Sequence, residues 1–104
     1  MIMPRNKLVV MPQTKKRLAT LGEQIKYARL RRRLSITMVA ERASISRTSV
    51  YAVEKGDPRT AIGIYAGVML AIGMPDEITA PCKNDPLGRL LVDAELKIRR
   101  RKKR

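Results

Sequence analysis

The segment from Leu34 to Gly56 constrains the fold of this chain more than any other stretch. It reads LSITMVAERASISRTSVYAVEKG and predicts two short helices joined by a tight turn. Ser35 and Ser46 each precede a helical run, where a hydroxyl can accept from free backbone N–H groups. Apolar and small residues recur on one face of each run, namely Val39, Ala40 and Ala43, then Val50 and Val53. This layout predicts a helix-turn-helix, whose second helix can enter the major groove of DNA.

The charge of the chain is strongly basic and unevenly distributed. The formal net charge is +14, with ten bases against one acid in residues 1–33 and seven against eight in residues 34–98. Residues 99–104 are all basic. Blocks of one sign favour a polyanion such as nucleic acid. For the run Arg99–Arg104 three interpretations stay open: contact with the DNA backbone, contact with an acidic patch on a partner, or a solubilising tail.

The residue types that the chain lacks exclude several kinds of chemistry. There is no His and a single Cys, Cys82, which excludes imidazole catalysis, a zinc site built on His or Cys, and an internal disulfide. We therefore expect a protein that is not an enzyme and binds no metal or cofactor. Because the N-terminus lacks a signal-peptide pattern and no apolar stretch could span a bilayer, we expect it in the cytoplasm, associated with the nucleoid when bound to DNA.

Further helices are predicted on both sides of the central pair. The first covers about 13–32, either as one long helix or as two nearly collinear ones, because Thr20–Glu23 matches a capping box. A fourth helix is expected over 61–72 after a cap at Thr60, followed by a short helical turn over 75–79. A last helix begins after Asp85 and runs to about 98, with an apolar face of Leu87, Leu90, Leu91 and Ala94.

These elements divide the chain into four predicted parts. They are an N-terminal arm (1–12), a helix-turn-helix DNA-binding domain (13–80), a C-terminal helix segment (81–98) and a basic tail (99–104). The arm holds a short apolar run that could be an isolated strand, pairing only in an oligomer, or an extended tail. All three aromatic residues are Tyr, so the core must be aliphatic, which suits helices better than a β-sandwich. The predicted fold class is therefore all-α.

Residues 21–74 resemble the Cro/repressor (XRE-like) helix-turn-helix family. The matching residues are LGEQIKYARLRRRLSITMVAERASISRTSVYAVEKG and the following TAIGIYAGVMLAIGM. The resemblance implies a compact lambda-repressor-like bundle of about five helices that binds operator DNA as a dimer. It implies base contacts from the third helix, by Arg47, Thr48, Tyr51 and Ala52. The phosphate contacts that we predict are Arg29, Arg31, Arg32, Ser35, Thr37, Ser46, Ser49 and Lys55.

Arginines near the end of the first helix have alternative roles. In similar repressors an arginine of the first helix pairs with a glutamate that ends the third, so Arg29 and Glu54 are predicted to form a structural ion pair. Arg31 and Arg32 could instead be a solvated helix end, where cations complement the helix dipole.

The chain departs from the family pattern at two positions. The turn usually carries Gly, where this chain has Ser44, and a left-handed Ser costs energy that Gly avoids. The second helix often opens with a Gln that reaches a phosphate. This chain has Ile36 there, so Thr37 or the backbone of Ser35 would have to replace that contact.

A narrower resemblance comes from the segments that follow the motif. GDPRTAIGIYAGVMLAIGM and NDPLGRLLVDAELKIRRRKKR resemble the HipB-like antitoxins, small repressors encoded beside a kinase-type toxin of the HipA class. The resemblance implies a dimeric repressor of a pseudo-palindromic operator that also binds a kinase-type toxin. The alternatives are a stand-alone phage-type repressor and, in another class, a basic RNA- or ribosome-associated protein.

Overall fold

A computed structural model describes residues 8–102 of the chain, with side chains described as far as Arg99. Over this range the protein is all-helical, as the sequence predicts. Four helices form the bundle: α1 (Pro12–Arg31), α2 (Ile36–Ala43), α3 (Arg47–Glu54) and α4 (Ile62–Ala71), followed by a 3₁₀ turn at Pro75–Thr79. Residues 1–7 of the predicted arm and 103–104 of the predicted tail lie outside the described residues.

Helix α1 is a single continuous helix of 20 residues. Of the two predicted alternatives, the single long helix is confirmed and a restart at Thr20 is not seen. The Thr20 hydroxyl does not cap a helix start, because it donates to the carbonyl oxygen of Lys16 (3.0 Å) within α1. At 1.5 Å per residue, α1 is about 30 Å long and reaches well beyond the helices that it packs against.

The starts of α2 and α3 follow the predicted caps. The Ser35 Oγ accepts from the backbone N–H of Met38 (3.0 Å), and the Ser46 Oγ accepts from that of Ser49 (3.1 Å). Each bond satisfies one of the four N–H groups that a helix start leaves unpaired, which is worth about 1 kcal/mol.

The cap predicted for α4 is absent. Ala61, not Thr60, is the residue before the helix, and it offers no side-chain cap. In the connection between α3 and α4 the side chain that bonds to the backbone is that of Asp57, whose Oδ1 accepts from the backbone N–H of Arg59 (2.9 Å). This bond holds the connection as a turn directly after α3.

The core lies where α1, α2, α3 and α4 meet, and it is almost entirely aliphatic. Complete burial of one valine side chain contributes about 1.5–3 kcal/mol to the free energy of folding. Val50 and Val53, which are fully buried, therefore determine which face of α3 packs against the bundle. The buried apolar residues are Ile25, Ala28, Val39, Ala40, Val50, Val53, Tyr65, Val68, Met69 and Ile72.

Helix α1 crosses the end of α3 at a contact between two glycines. A Cβ on Gly22 would lie 2.5 Å from the backbone nitrogen of Gly56 and 2.6 Å from the carbonyl oxygen of Glu54. Gly56 has φ +69°, and a Cβ on it would collide with the backbone of Leu18. The two backbones therefore approach as closely as they do because neither residue has a side chain.

The C-terminal helical segment, residues 86–102, stands apart from the bundle. It consists of α5 (Pro86–Gly88), a π-helical turn (Arg89–Asp93) and α6 (Ala94–Lys102). Within the described residues it forms no extensive packing with α1–α4, and Leu87 and Leu90 are 71% and 77% exposed. Leu91 and Ala94, the other two residues of the predicted apolar face, are also exposed, and the π turn at residues 89–93 is a feature that α-helical spacing does not predict.

No helix in residues 8–102 has both the length and the apolar character needed to cross a membrane.

Candidate nucleic-acid interface

Helix α3 has one face buried in the bundle and the opposite face in solvent. Val50 and Val53 are fully buried, whereas Tyr51 is 52% exposed. Arg47 and Thr48 are exposed at the start of the helix, and Ala52 is half-buried beside Tyr51. At about 100° per residue, these four residues together span about 140° of the helix circumference. The structure thus places all four predicted base-contacting residues on one side of α3, with the core fixing the other side.

The turn before α3 sets the angle between the two helices of the motif. Ser44 has φ +56° and ψ +44°, the left-handed conformation expected from the family pattern. Its backbone N–H donates to the carbonyl oxygen of Glu41 (3.2 Å), and that of Ile45 donates to Ala40 (3.0 Å). These two bonds end α2 at Ser44. The direction in which α3 starts is therefore set by the backbone conformation of this one residue.

An ion pair between Arg29 and Glu54 ties α1 to the end of α3. Arg29 Nε lies 2.6 Å from Glu54 Oε2, and Nη2 lies 3.1 Å from Oε1, which is the two-point geometry that an arginine fork prefers. Arg29 Nη1 also donates to the carbonyl oxygen of Leu34 (2.9 Å). The structure therefore brings the two predicted partners together and adds the loop before α2 to the same network.

The same geometry argues against the phosphate contact predicted for Arg29. Each of its three guanidinium nitrogens donates within the chain, and the residue is only 8% exposed. A phosphate could reach only the two remaining N–H groups of this nearly buried guanidinium. The structure therefore favours the ion pair as the role of Arg29.

The two hydroxyls that cap helices remain able to donate. Ser35 and Ser46 use an oxygen lone pair for the cap, which leaves each hydroxyl hydrogen free in principle for a phosphate oxygen. The Ser46 hydroxyl also lies 3.0 Å from that of Ser49, which is half-buried, so one of these two donates to the other. Thr37 and Lys55 are exposed at the start of α2 and just after α3.

Arg31 is the last residue of α1 and Arg32 caps it, and the two side chains lie on different sides of the helix. Arg32 is exposed, and its Nη1 donates to the carbonyl oxygen of Ala28 (2.9 Å). Arg31 is two positions from Arg29, so it points to nearly the opposite side of the helix. There it lines a groove of about 260 Å³ together with Met74 and Glu77. The phosphate contacts of both arginines stay predictions, and only Arg32 lies toward the α3 side.

The connection after α3 is anchored by Tyr65. Its hydroxyl donates to the carbonyl oxygen of Asp57 (2.8 Å). Burial raises the pKa of the Tyr65 hydroxyl, and the nearby Asp57 charge raises it further. The tyrosine is therefore a structural donor that holds the chain where it leaves α3.

Sequence reasoning missed the Gly22–Gly56 crossing and the bond from Arg29 to Leu34. The sequence does indicate the Gly22–Gly56 crossing. Gly22 precedes Arg29 by seven residues, which is about two helical turns, so both residues lie on the same side of α1. A helix that directs Arg29 toward α3 also directs Gly22 toward it. The bond to Leu34 had no sequence signal, since its acceptor is a backbone carbonyl.

A model of the helix-turn-helix domain family matches residues 20–80, more than half of the chain. The chain therefore belongs to this helix-turn-helix family, and the match supports the resemblance to XRE-like proteins. A domain of this kind indicates a DNA-binding regulator. No curated protein and no solved structure matches the chain.

Proposed function

We propose that the protein is a sequence-specific transcriptional repressor that binds duplex DNA with the exposed face of α3 in the major groove. The observation that carries the proposal is the division of α3 into a fully buried valine face and an exposed face with Arg47, Thr48 and Tyr51. An exposed tyrosine on a short, rigidly held helix has no role in the core. Proteins of this architecture read base edges with such a face.

The proposed base contacts come from side chains of different chemistry. Arg47 offers a fork that matches the O6 and N7 acceptors of guanine, and Thr48 offers a hydroxyl. Tyr51 and Ala52 offer apolar surface that suits a thymine methyl group. Arg47 lies at a helix start, where a cation opposes the helix dipole, and a nearby guanine or phosphate would offset that local cost.

The proposed phosphate contacts flank this face. They come from Arg31 and Arg32 at the end of α1, from Ser35 and Thr37 at the start of α2, and from Ser46, Ser49 and Lys55 around α3. Contacts of this type fix the position of a protein on the duplex without reading its sequence.

We propose further that the repressor acts as a homodimer on a pseudo-palindromic operator, in the cytoplasm and at the nucleoid. A single α3 reads only a few base pairs, so a second copy doubles the site and its specificity. The C-terminal helical segment supports this step, because it leaves Leu87, Leu90 and Leu91 mostly exposed beside the bundle. Exposed apolar surface of this kind indicates a protein partner.

The same segment supports the narrower proposal that the protein is the antitoxin of a HipA/HipB-like system. Its leucines stand beside basic residues, a combination that would suit an acidic, partly apolar surface on a kinase-type toxin. Removal of residues 85–104 separates the two uses of the segment. A monomeric product assigns it to the dimer, and a dimeric product that no longer binds the toxin assigns it to the toxin. A truncated chain that still does both contradicts both assignments.

Selection of bound sequences from a random duplex library tests DNA recognition directly. We expect a two-fold symmetric site with half-sites about 34 Å apart. Equal affinity for all duplexes would contradict the proposal, and a preference for RNA would favour the RNA- or ribosome-associated alternative.

Arg47→Ala tests the assignment of one residue. It should weaken binding to the selected site by about 1–3 kcal/mol and relax the preference at one base pair per half-site. Arg89→Ala, an exposed arginine on the C-terminal segment, is the control and should leave that preference unchanged. If Arg47→Ala weakens binding to selected and random DNA equally, Arg47 contacts phosphate instead of a base.

A further inference from the structure

We propose that the first two turns of α1 add a phosphate-binding surface to the DNA interface, formed by Lys15 and Lys16. This basic cluster lies before the match to the helix-turn-helix family, which begins at residue 20, whereas α1 begins at Pro12. The inference rests on the proposed DNA binding and adds residues to it. The ligand is the phosphodiester backbone of duplex DNA just outside the groove that α3 enters.

The glycine crossing places this cluster next to the end of α3. The backbone of Leu18 and Ala19 lies directly against Gly56, which follows α3 by two residues. Lys15 precedes Gly22 by seven residues, so it lies on the same side of α1, about 10 Å further along the helix axis. The start of α1 thus continues past the end of α3, beside the turn at residues 55–59.

The charges on both sides of the crossing have the same sign. Lys15 and Lys16 are exposed on α1, and Lys55 and Arg59 are exposed on the facing turn. Among the described residues none of these four forms an ion pair.

The nearby acids do not cancel this charge. Asp57 is half-buried and its Oδ1 accepts from the backbone N–H of Arg59. Glu23 lies about two turns further along α1. Glu77 is exposed and lines a groove with Leu18 and Asp57. Four cations against these three acids leave a net positive charge.

A positive surface at this position suits a phosphate strand. When a recognition helix lies in a major groove about 12 Å wide, the chain that leaves the helix meets the strand bordering the groove. Lysine ammonium groups bind phosphates as point charges and do not read bases. The cluster should therefore raise affinity for all duplexes and extend the contacted stretch outward, without changing the preferred sequence.

The salt dependence of binding tests this surface. The variant Lys15→Gln, Lys16→Gln is compared with a control that removes the same two charges elsewhere, Lys83→Gln, Lys97→Gln, both exposed on the C-terminal side. The probe is a mixed-sequence duplex of about three helical turns (~30 base pairs). The slope of log K against log salt should fall by about 0.9 for each phosphate that the α1 variant no longer neutralises.

The outcomes separate this inference from the proposed function. The inference predicts a smaller slope for the α1 variant, an unchanged slope for the control, and the same sequence preference in a selection experiment. Equal slopes for the two variants, or an altered base preference in the α1 variant, would overturn it. If the unaltered protein binds no duplex at all, DNA binding itself is contradicted. Because all the substituted side chains are exposed, both variants should unfold at the same urea concentration as the parent, and unfolding curves check this.

Discussion

Replacement of Gly22 by alanine should destabilise the bundle, although alanine is the better helix former. The added Cβ would lie 2.5 Å from the Gly56 nitrogen and 2.6 Å from two carbonyl oxygens of α3, those of Val53 and Glu54. All three are backbone atoms, so no side chain can rotate out of the way. Ordinary contact begins near 3.4 Å, and α1 must therefore move away from the end of α3 by almost 1 Å.

The size of the effect follows from two opposing terms. Replacement of an interior helical glycine by alanine gains about 1 kcal/mol of helix propensity. Overpacking typically costs about 1–3 kcal/mol and more where the backbone must move. The displacement also lengthens the Arg29–Glu54 bonds and draws Ile25 and Ala28 out of the core. We expect a net loss of about 1–2 kcal/mol, or a fall in Tm of roughly 5–15 °C for a domain of this size.

Urea unfolding followed by far-UV circular dichroism measures this loss. The matched control is Gly67→Ala in the middle of α4, where a Cβ would meet only the Cβ of Ala43, at 3.9 Å. That substitution should stabilise the protein by about 0.5–1 kcal/mol. If Gly22→Ala is as stable as the parent while Gly67→Ala behaves as expected, the close approach of α1 and α3 is not the constraint that we describe.

Three further predictions concern the turn, the ion pair and the buried tyrosine. Ser44→Gly should stabilise the protein by about 0.5–1 kcal/mol, since glycine adopts φ +56° without strain; a lower urea midpoint would contradict this. Glu54→Gln should destabilise it by about 3 kcal/mol, because the Arg29 charge stays buried without a counter-charge; a loss below 1 kcal/mol would mean that solvent reaches the pair. Tyr65→Phe should cost about 1 kcal/mol, because the hydrogen bond to Asp57 is removed. Because the folded-state pKa of Tyr65 is raised, the parent should keep its full stability below pH 10 and lose part of it above, and Tyr65→Phe should lack that loss.

The sequence predicts the local features of the motif well because short-range chemistry decides them. Ser35 and Ser46 cap their helices as expected, and Gly56 ends α3 in the left-handed conformation. Val68 and Met69 in α4 and Ile72 just after it recur at helical spacing and are buried, and Ile64 is partly buried. Each of these outcomes depends on residues within one or two turns of each other.

The features that the sequence did not predict depend on distant partners or on backbone geometry. The left-handed Arg33 (φ +54°) closes the loop after α1, and nothing in its residue type indicates this. Helix α4 begins after Ala61 and not after the predicted cap at Thr60, and the turn before it is held by Asp57, whose Oδ1 accepts from the backbone N–H of Arg59. The π turn at residues 89–93 has no residue signature. The base and phosphate contacts themselves stay predictions, since they depend on a molecule outside the chain.

The exposed leucines of the C-terminal segment have a consequence for how the purified protein should behave. Apolar surfaces on two copies attract each other, while Arg89, Lys97, Arg99 and the basic residues that follow them repel. Added salt weakens only the repulsion, whose range falls from about 30 Å at 0.01 M to about 8 Å at 0.15 M. We therefore expect self-association to grow with ionic strength.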